Sequence, residues 1–135
     1  MEGSLAAGRE ELEIMWREMD RDKDSVITGA KRCIGRKQEA QTVLQTWLEA
    51  FLTADEAKQQ TLLYVIWELF RQLARTPDTS AQGLVQEFWK HLPAFLPAVR
   101  SLHLLQVLRE FTEESISRLH LGPPDSLAMV DVICT

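Results

Sequence analysis

The stretch from Thr53 to about Arg75 constrains the fold most. Its apolar residues include Leu62, Leu63, Val65, Ile66, Trp67, Leu69, Phe70 and Leu73. At helical spacing these cover most of one helix's circumference, and such a helix is packed on several sides. The chain therefore has to surround it. Thr53-Ala54-Asp55-Glu56 reads as a capping box that opens this helix, and it stops before Pro77.

The flanking sequence supplies more helices and almost no strand signal. No alternating apolar/polar run and no Asn-Gly turn occurs. A first helix is expected over Gly8 to Met19, with Leu12, Met15, Trp16 and Met19 on one face. A second covers Ser25 to Gly35, with Val26, Ile27, Ala30, Cys33 and Ile34 inward. The third is the clearest: Ala40, Val43, Leu44, Trp47, Leu48 and Phe51 recur at three- and four-residue steps. Beyond the turn at Thr76 to Ser80, a fifth helix covers Ala81 to His91. Pro93 and Pro97 bracket a short sixth element. A seventh helix runs from about Arg100 to Leu119, bent near Thr112, and Gly122-Pro123-Pro124 ends it. The expected organisation is a flexible leader over residues 1–7, one helical domain over 8–120, and a tail over 121–135 that docks as a small helix or continues a longer chain.

Bulk properties narrow the function. At 135 residues the chain is one domain's worth and buries a core without metal or disulfide help. Its 45% hydrophobic and 26% charged residues fit a soluble globular protein. No apolar run approaches the roughly 20 residues of a membrane span. Met1-Glu2-Gly3-Ser4 lacks the basic start and apolar core of a secretory signal. A net charge of −5 makes general nucleic-acid binding unfavourable, since that rests on Lys and Arg neutralising phosphates. Two distant cysteines, Cys33 and Cys134, are too few for a disulfide scaffold and predict a reduced, intracellular chain.

Catalytic signals are weak, and no catalytic residue, metal ligand or cofactor is expected. His91, His103 and His120 form no helical ligand pair, and neither a phosphate-binding Gly-rich loop nor a nucleophile elbow is present. Asp20-Arg21-Asp22-Lys23-Asp24-Ser25-Val26-Ile27-Thr28 resembles a calcium-binding EF-hand loop, with carboxylates at positions one, three and five. Ser25 replaces the glycine at position six, and Lys31 replaces the bidentate Glu at position twelve. The favoured reading is an acidic, solvated turn. Lys31, Arg32, Arg36 and Lys37 are a candidate anion patch, with a solvated helix end as the preferred alternative.

The central helix keeps one polar stripe. Tyr64, Glu68, Arg71, Gln72 and Arg75 share a side, either lining a groove or facing solvent.

Several segments together resemble the CTD-interacting domain, the module that reads the C-terminal tail of RNA polymerase II. Ser25-Val26-Ile27 through Cys33-Ile34, then Lys37, Ala40, Val43-Leu44, Trp47 and Leu48, are similar to its second and third helices. Lys58-Gln59-Gln60-Thr61-Leu62-Leu63-Tyr64-Val65 resembles the start of its central helix. Phe88, Leu92-Pro93 and Phe95 match its next helix, and His103-Leu104-Leu105-Gln106-Val107-Leu108 its late Arg-Leu-Leu segment. The resemblance spans about Ser25 to Phe111.

It implies an all-α, right-handed superhelical bundle of about seven or eight helices, similar to VHS and ENTH domains. It also implies a nuclear, monomeric, non-enzymatic module of transcription termination or RNA processing. Such a module binds the polymerase tail, often serine-phosphorylated, in a groove beside the central helix. Tyr64 and Glu68 then stand at the tyrosine side of the peptide, with Gln72 beside them; Arg71, Arg75, Arg100 and His103 are the anion candidates. The family's Asn-Asp pair is here Trp67-Glu68, and its late Arg is His103, which offers no bidentate fork. Two alternatives remain: a structural subunit of a transcription-related complex whose groove has lost or changed its ligand, and a degenerate single EF-hand.

Overall fold

The computed structural model describes residues 2–123. It is all-α, with no strand among the described residues. Six helices have nine residues or more: α1 (Glu2–Glu18), α2 (Lys23–Gly35), α3 (Ala40–Thr53), α4 (Glu56–Arg75), α5 (Gln82–Lys90) and α7 (Leu102–Glu114). The single turn α6 (Leu92–Phe95) lies between α5 and α7. Three-residue 3-10 turns precede α3 and α5 and follow α6. The expected seven or eight helices are thus six, plus one turn. Pro93 and Pro97 do not bracket an element; each sits in the first turn of a short one, where its missing N–H costs nothing.

The central position of α4 follows from its sequence. Leu62, Val65, Ile66, Leu69 and Phe70 are fully buried, and α2, α3 and α7 all pack on it. Its N-cap is Asp55, whose carboxylate accepts from the Lys58 N–H at 2.9 Å. The expected box on Thr53 is displaced because Thr53 ends α3, where its hydroxyl donates back to the Glu49 carbonyl.

Aromatic rings fill the space between α3, α4, α5 and α7. Trp47 lies 5.1 to 5.5 Å from Phe51, Phe88 and Phe95, and Phe70 and Phe111 are 5.0 Å apart. These edge and offset contacts add to the burial energy of each ring. The indole N–H groups of the buried tryptophans are satisfied. Trp16 donates to Thr46 Oγ1 at 3.0 Å, Trp47 to the Leu62 carbonyl at 3.0 Å and Trp89 to the Leu121 carbonyl at 2.8 Å. These three tryptophans face inward.

Two polar side chains, one buried and one half-buried, knit the bundle. Gln59 is 0% exposed. Its Nε2 donates to the Phe51 carbonyl at 3.2 Å and the Ala98 carbonyl at 2.9 Å, and its Oε1 accepts from the Arg100 N–H at 3.1 Å. It thereby ties the end of α3 and the approach to α7 onto α4. Lys58 reaches the Arg17 and Met19 carbonyls at the end of α1, and burial lowers its pKa despite Asp20 and Asp55 nearby. At Gly29 of α2 an added Cβ would lie 2.5 Å from the Met19 methyl, so glycine permits this close approach.

The predicted bend near Thr112 falls three residues later. There the helix widens into a π-helical segment, Ser115–Leu119. Thr112 and Ser115 hydroxyls each donate to the carbonyl four residues back, at 2.8 Å, which loosens the helical ladder. His120 then adopts left-handed backbone, φ 56°, and closes the helix. The predicted docking of Ser126 to Thr135 lies outside the described residues, as does Cys134.

Candidate functional site

Along its outer side, α4 runs between α2 and α7, and two open clefts follow that line. One, of about 700 Å³, lies between α2 and the second half of α4, with Lys23, Ile27, Lys31, Glu68, Gln72 and Arg75 on its walls. The other, of about 400 Å³, reaches from α2 across Tyr64, Trp67 and Arg71 to Glu110 of α7. Lys23, Ile27, Glu68 and Arg71 belong to both, so the two clefts form one continuous groove. The polar stripe foreseen in the sequence is the floor of this groove.

Glu68 sits at the junction, with its side chain 17% exposed. Its Oε1 accepts from Gln72 Nε2 at 3.2 Å and Arg75 Nη2 at 3.1 Å. Gln72 Nε2 also faces the Ile27 carbonyl of α2 at 3.4 Å. These bonds hold the carboxylate in place while Oε2 has no hydrogen-bond partner among the described residues. A fixed carboxylate with one unengaged oxygen is an acceptor for a hydroxyl or N–H donor.

Beside it lies an aromatic floor. The rings of Tyr64 and Trp67 stack at 6.2 Å, and Tyr64 is 38% exposed. Its hydroxyl accepts from Gln60 Nε2 at 3.2 Å. Trp67 Nε1 donates to the Glu114 carboxylate of α7. Arg71 donates to the same carboxylate at 3.1 Å and places its guanidinium 4.8 Å from the Trp67 ring centroid, a cation–π contact. Trp67, at the position of the family's Asn, thus bridges α4 to α7.

Five of the seven expected site residues, Tyr64, Glu68, Arg71, Gln72 and Arg75, are brought together. Arg100 and His103 line neither cleft. Arg100 is structural: its Nε donates to the Ala54 carbonyl at 2.6 Å and its N–H to Gln59. Gln59 precedes Glu68 by nine residues, or about 14 Å along α4. His103 is exposed in the first turn of α7, seven residues and about 10 Å before Glu110. The sequence reading missed Lys23, Glu110 and Glu114, and placed Lys31 in the anion patch with Arg32, Arg36 and Lys37. For α2 the signal was present: Lys23, Ile27, Lys31 and Ile34 recur at four, four and three residues, one helix face. Ile27 and Ile34, expected inward, are half-buried in the cleft wall.

The other candidates separate. Helix α2 starts at Lys23, so loop positions four to twelve of the EF-hand resemblance are helical. Ser25 Oγ accepts from the Asp20 N–H at 3.1 Å, which makes this segment a short turn between helices. No group of three or more His, Cys, Asp or Glu among the described residues is placed to hold a metal ion. The basic cluster divides as well. Arg36 pairs with Glu11 and Glu39, Lys37 pairs with Asp78 at 2.6 Å, and Lys31 turns to the groove. His91 lies 3.7 Å from Glu87 on α5, with its pKa lowered by burial.

An open, mixed-charge groove along a central helix suits a helical protein-interaction module. The family model for the CID domain matches residues 10–120, most of the chain, and the chain belongs to that family. CID domains are protein-interaction modules of transcription-related, mostly nuclear proteins, and the family is not one of enzymes. Comparison with curated proteins and with solved structures gives no match for this chain.

Proposed function

We propose that this domain binds the C-terminal tail of RNA polymerase II as an extended peptide in the groove of α2, α4 and α7. One observation carries the reading: the Glu68 carboxylate is fixed by Gln72 and Arg75, with Oε2 unengaged, beside the exposed Tyr64 ring. Glu68 accepts the hydrogen bond of the peptide's tyrosine hydroxyl, and the Tyr64–Trp67 floor takes an adjacent proline or aromatic ring. Aromatic-lined grooves suit extended, proline-containing peptides, because such segments lose little entropy on binding. The domain spans residues 8–120, follows the family's right-handed superhelical path, works as a monomer, and serves transcription termination or RNA processing in the nucleus.

Fluorescence anisotropy with labelled tail peptides, unphosphorylated and serine-phosphorylated, tests this. Wild type binds saturably. Glu68→Ala loses about 10- to 100-fold, the worth of a hydrogen bond to a charged group. Retention of full affinity by Glu68→Ala contradicts the assignment of the groove. Failure of folded, monomeric wild type to bind any of these peptides points instead to a structural subunit.

A further inference from the structure

The exposed ring of Tyr64 is held by a relay of contacts that ends outside the groove. Tyr64 and Arg71 lie about one turn before and one turn after Trp67 on α4, so they flank the indole along the helix axis. The Tyr64 ring stacks on the indole at 6.2 Å, and the Arg71 guanidinium sits 4.8 Å from the indole centroid. Gln60 fixes the other end of Tyr64 by donating to its hydroxyl at 3.2 Å. From α7, Phe111 meets the indole edge to face at 5.8 Å. Glu114 closes the set. Its carboxylate accepts from Trp67 Nε1 and from Arg71 Nη2, the latter at 3.1 Å, and its side chain is 18% exposed. Tyr64, Trp67 and Arg71 line one or both clefts, whereas Glu114 lines neither. A single sheltered carboxylate therefore fixes both the indole and the cation stacked on it, from a position out of reach of an occupant.

We infer that Glu114 is a positioning residue of the groove: through Arg71 and Trp67 it sets the orientation of the Tyr64 ring, and so strengthens peptide binding without touching the peptide. This rests on the peptide-binding reading of the same groove. The physical basis is preorganisation. An unsupported aromatic side chain on a helix surface samples more than one rotamer, and binding has to stop that motion. A ring already held in one orientation loses less freedom when a peptide settles on it. Arg71, a candidate anion contact by sequence, belongs to the same support, since Glu114 neutralises its charge and its guanidinium lies over the indole. Trp67 transmits the constraint: its N–H is spent on Glu114, and its ring backs Tyr64.

The test is a double-mutant cycle on the whole chain, read by anisotropy with whichever labelled polymerase-tail peptide, unphosphorylated or serine-phosphorylated, wild type binds. The variants are Glu114→Ala, Tyr64→Ala, the two combined, and Glu114→Gln. Glu114→Ala weakens binding by about two- to tenfold, the cost of one aromatic side chain that is ordered only on binding. In the Tyr64→Ala background the same change shifts affinity by less than about twofold, because no ring remains to be oriented. Side chains that do not touch are additive by default, so this non-additivity reports the relay, whereas a general weakening of the fold lowers affinity equally in both backgrounds. Glu114→Gln, which keeps an oxygen acceptor for Trp67, retains most of the affinity. Should Glu114→Ala fail to fold, Arg71→Met, at a side chain 46% exposed, breaks the same relay and enters the same cycle. If the substitution leaves affinity unchanged, or costs as much without Tyr64 as with it, the inference is overturned and the peptide-binding reading stands. If no tail peptide binds folded wild type, both fall.

Discussion

Gln59 offers a quantitative check on how the bundle is held. It belongs to the Lys58-Gln59-Gln60 segment that carries the family resemblance, yet its side chain faces the interior and contacts no part of the groove. Gln59→Ala removes three hydrogen bonds, to the carbonyls of Phe51 and Ala98 and from the Arg100 N–H. At about 1 kcal/mol net each, the loss is roughly 3 kcal/mol. The space left by the side chain adds to it, giving about 3–4 kcal/mol. That is a large share of the 5–15 kcal/mol typical of a domain, and on the order of 10–15 °C in Tm. Urea unfolding followed by far-ultraviolet circular dichroism measures it directly, with the slope unchanged and the midpoint lowered. Tail-peptide affinity of the folded fraction stays at the wild-type value. A stability loss below about 1 kcal/mol would show that these bonds do not hold the α3, α4 and α7 junction.

Burial pushes the Cys33 thiol up to about 12. In a Cys134→Ser variant, therefore, alkylating reagents at mildly alkaline pH leave the native protein unlabelled and label it once unfolded; native labelling refutes the burial. The Lys37 ammonium and Ser80 hold the Asp78 carboxyl down to about 2. Its folded value lies below its unfolded one, so its contribution is present above pH 4 and fades as pH falls from 4 through 2. Asp78→Asn flattens the acid limb of a pH–stability curve, and an unchanged limb refutes the pairing. Burial lowers the pKa of His91, so the folded state resists its protonation and stability falls as pH drops below about 6.5. Thermal melts of His91→Gln lack that decline, and a variant that keeps it assigns the decline elsewhere.

The helical architecture was legible because apolar periodicity is a direct record of burial. Val43, Leu44, Trp47 and Phe51 are all fully buried as their spacing requires. The stripe on α4 was legible for the complementary reason, since polar residues on a packed helix gather where packing is absent. Boundaries were harder where two local signals compete. Thr53 and Asp55 both favour a cap, and the hydroxyl's bond within α3 decided between them. The π-helical segment depends on how Thr112 and Ser115 bond to carbonyls one turn back, which spacing does not encode. The roles of Arg100 and Glu114 come from tertiary pairing. A charged residue at a helix end looks the same in sequence whether it binds a ligand or, as Arg100 does, a carbonyl of another helix.

Trp67 has an optical consequence. Of the four tryptophans, Trp16, Trp47 and Trp89 are buried at 0, 0 and 2% exposure, and Trp67 alone is half-buried in the groove wall. The solvent-sensitive, long-wavelength part of the emission spectrum therefore belongs to a single indole in the wall of the groove proposed to bind peptide. Occupation of the groove shifts that emission toward the blue and shields it from a soluble quencher, while the other three stay silent. The domain carries its own label for the site.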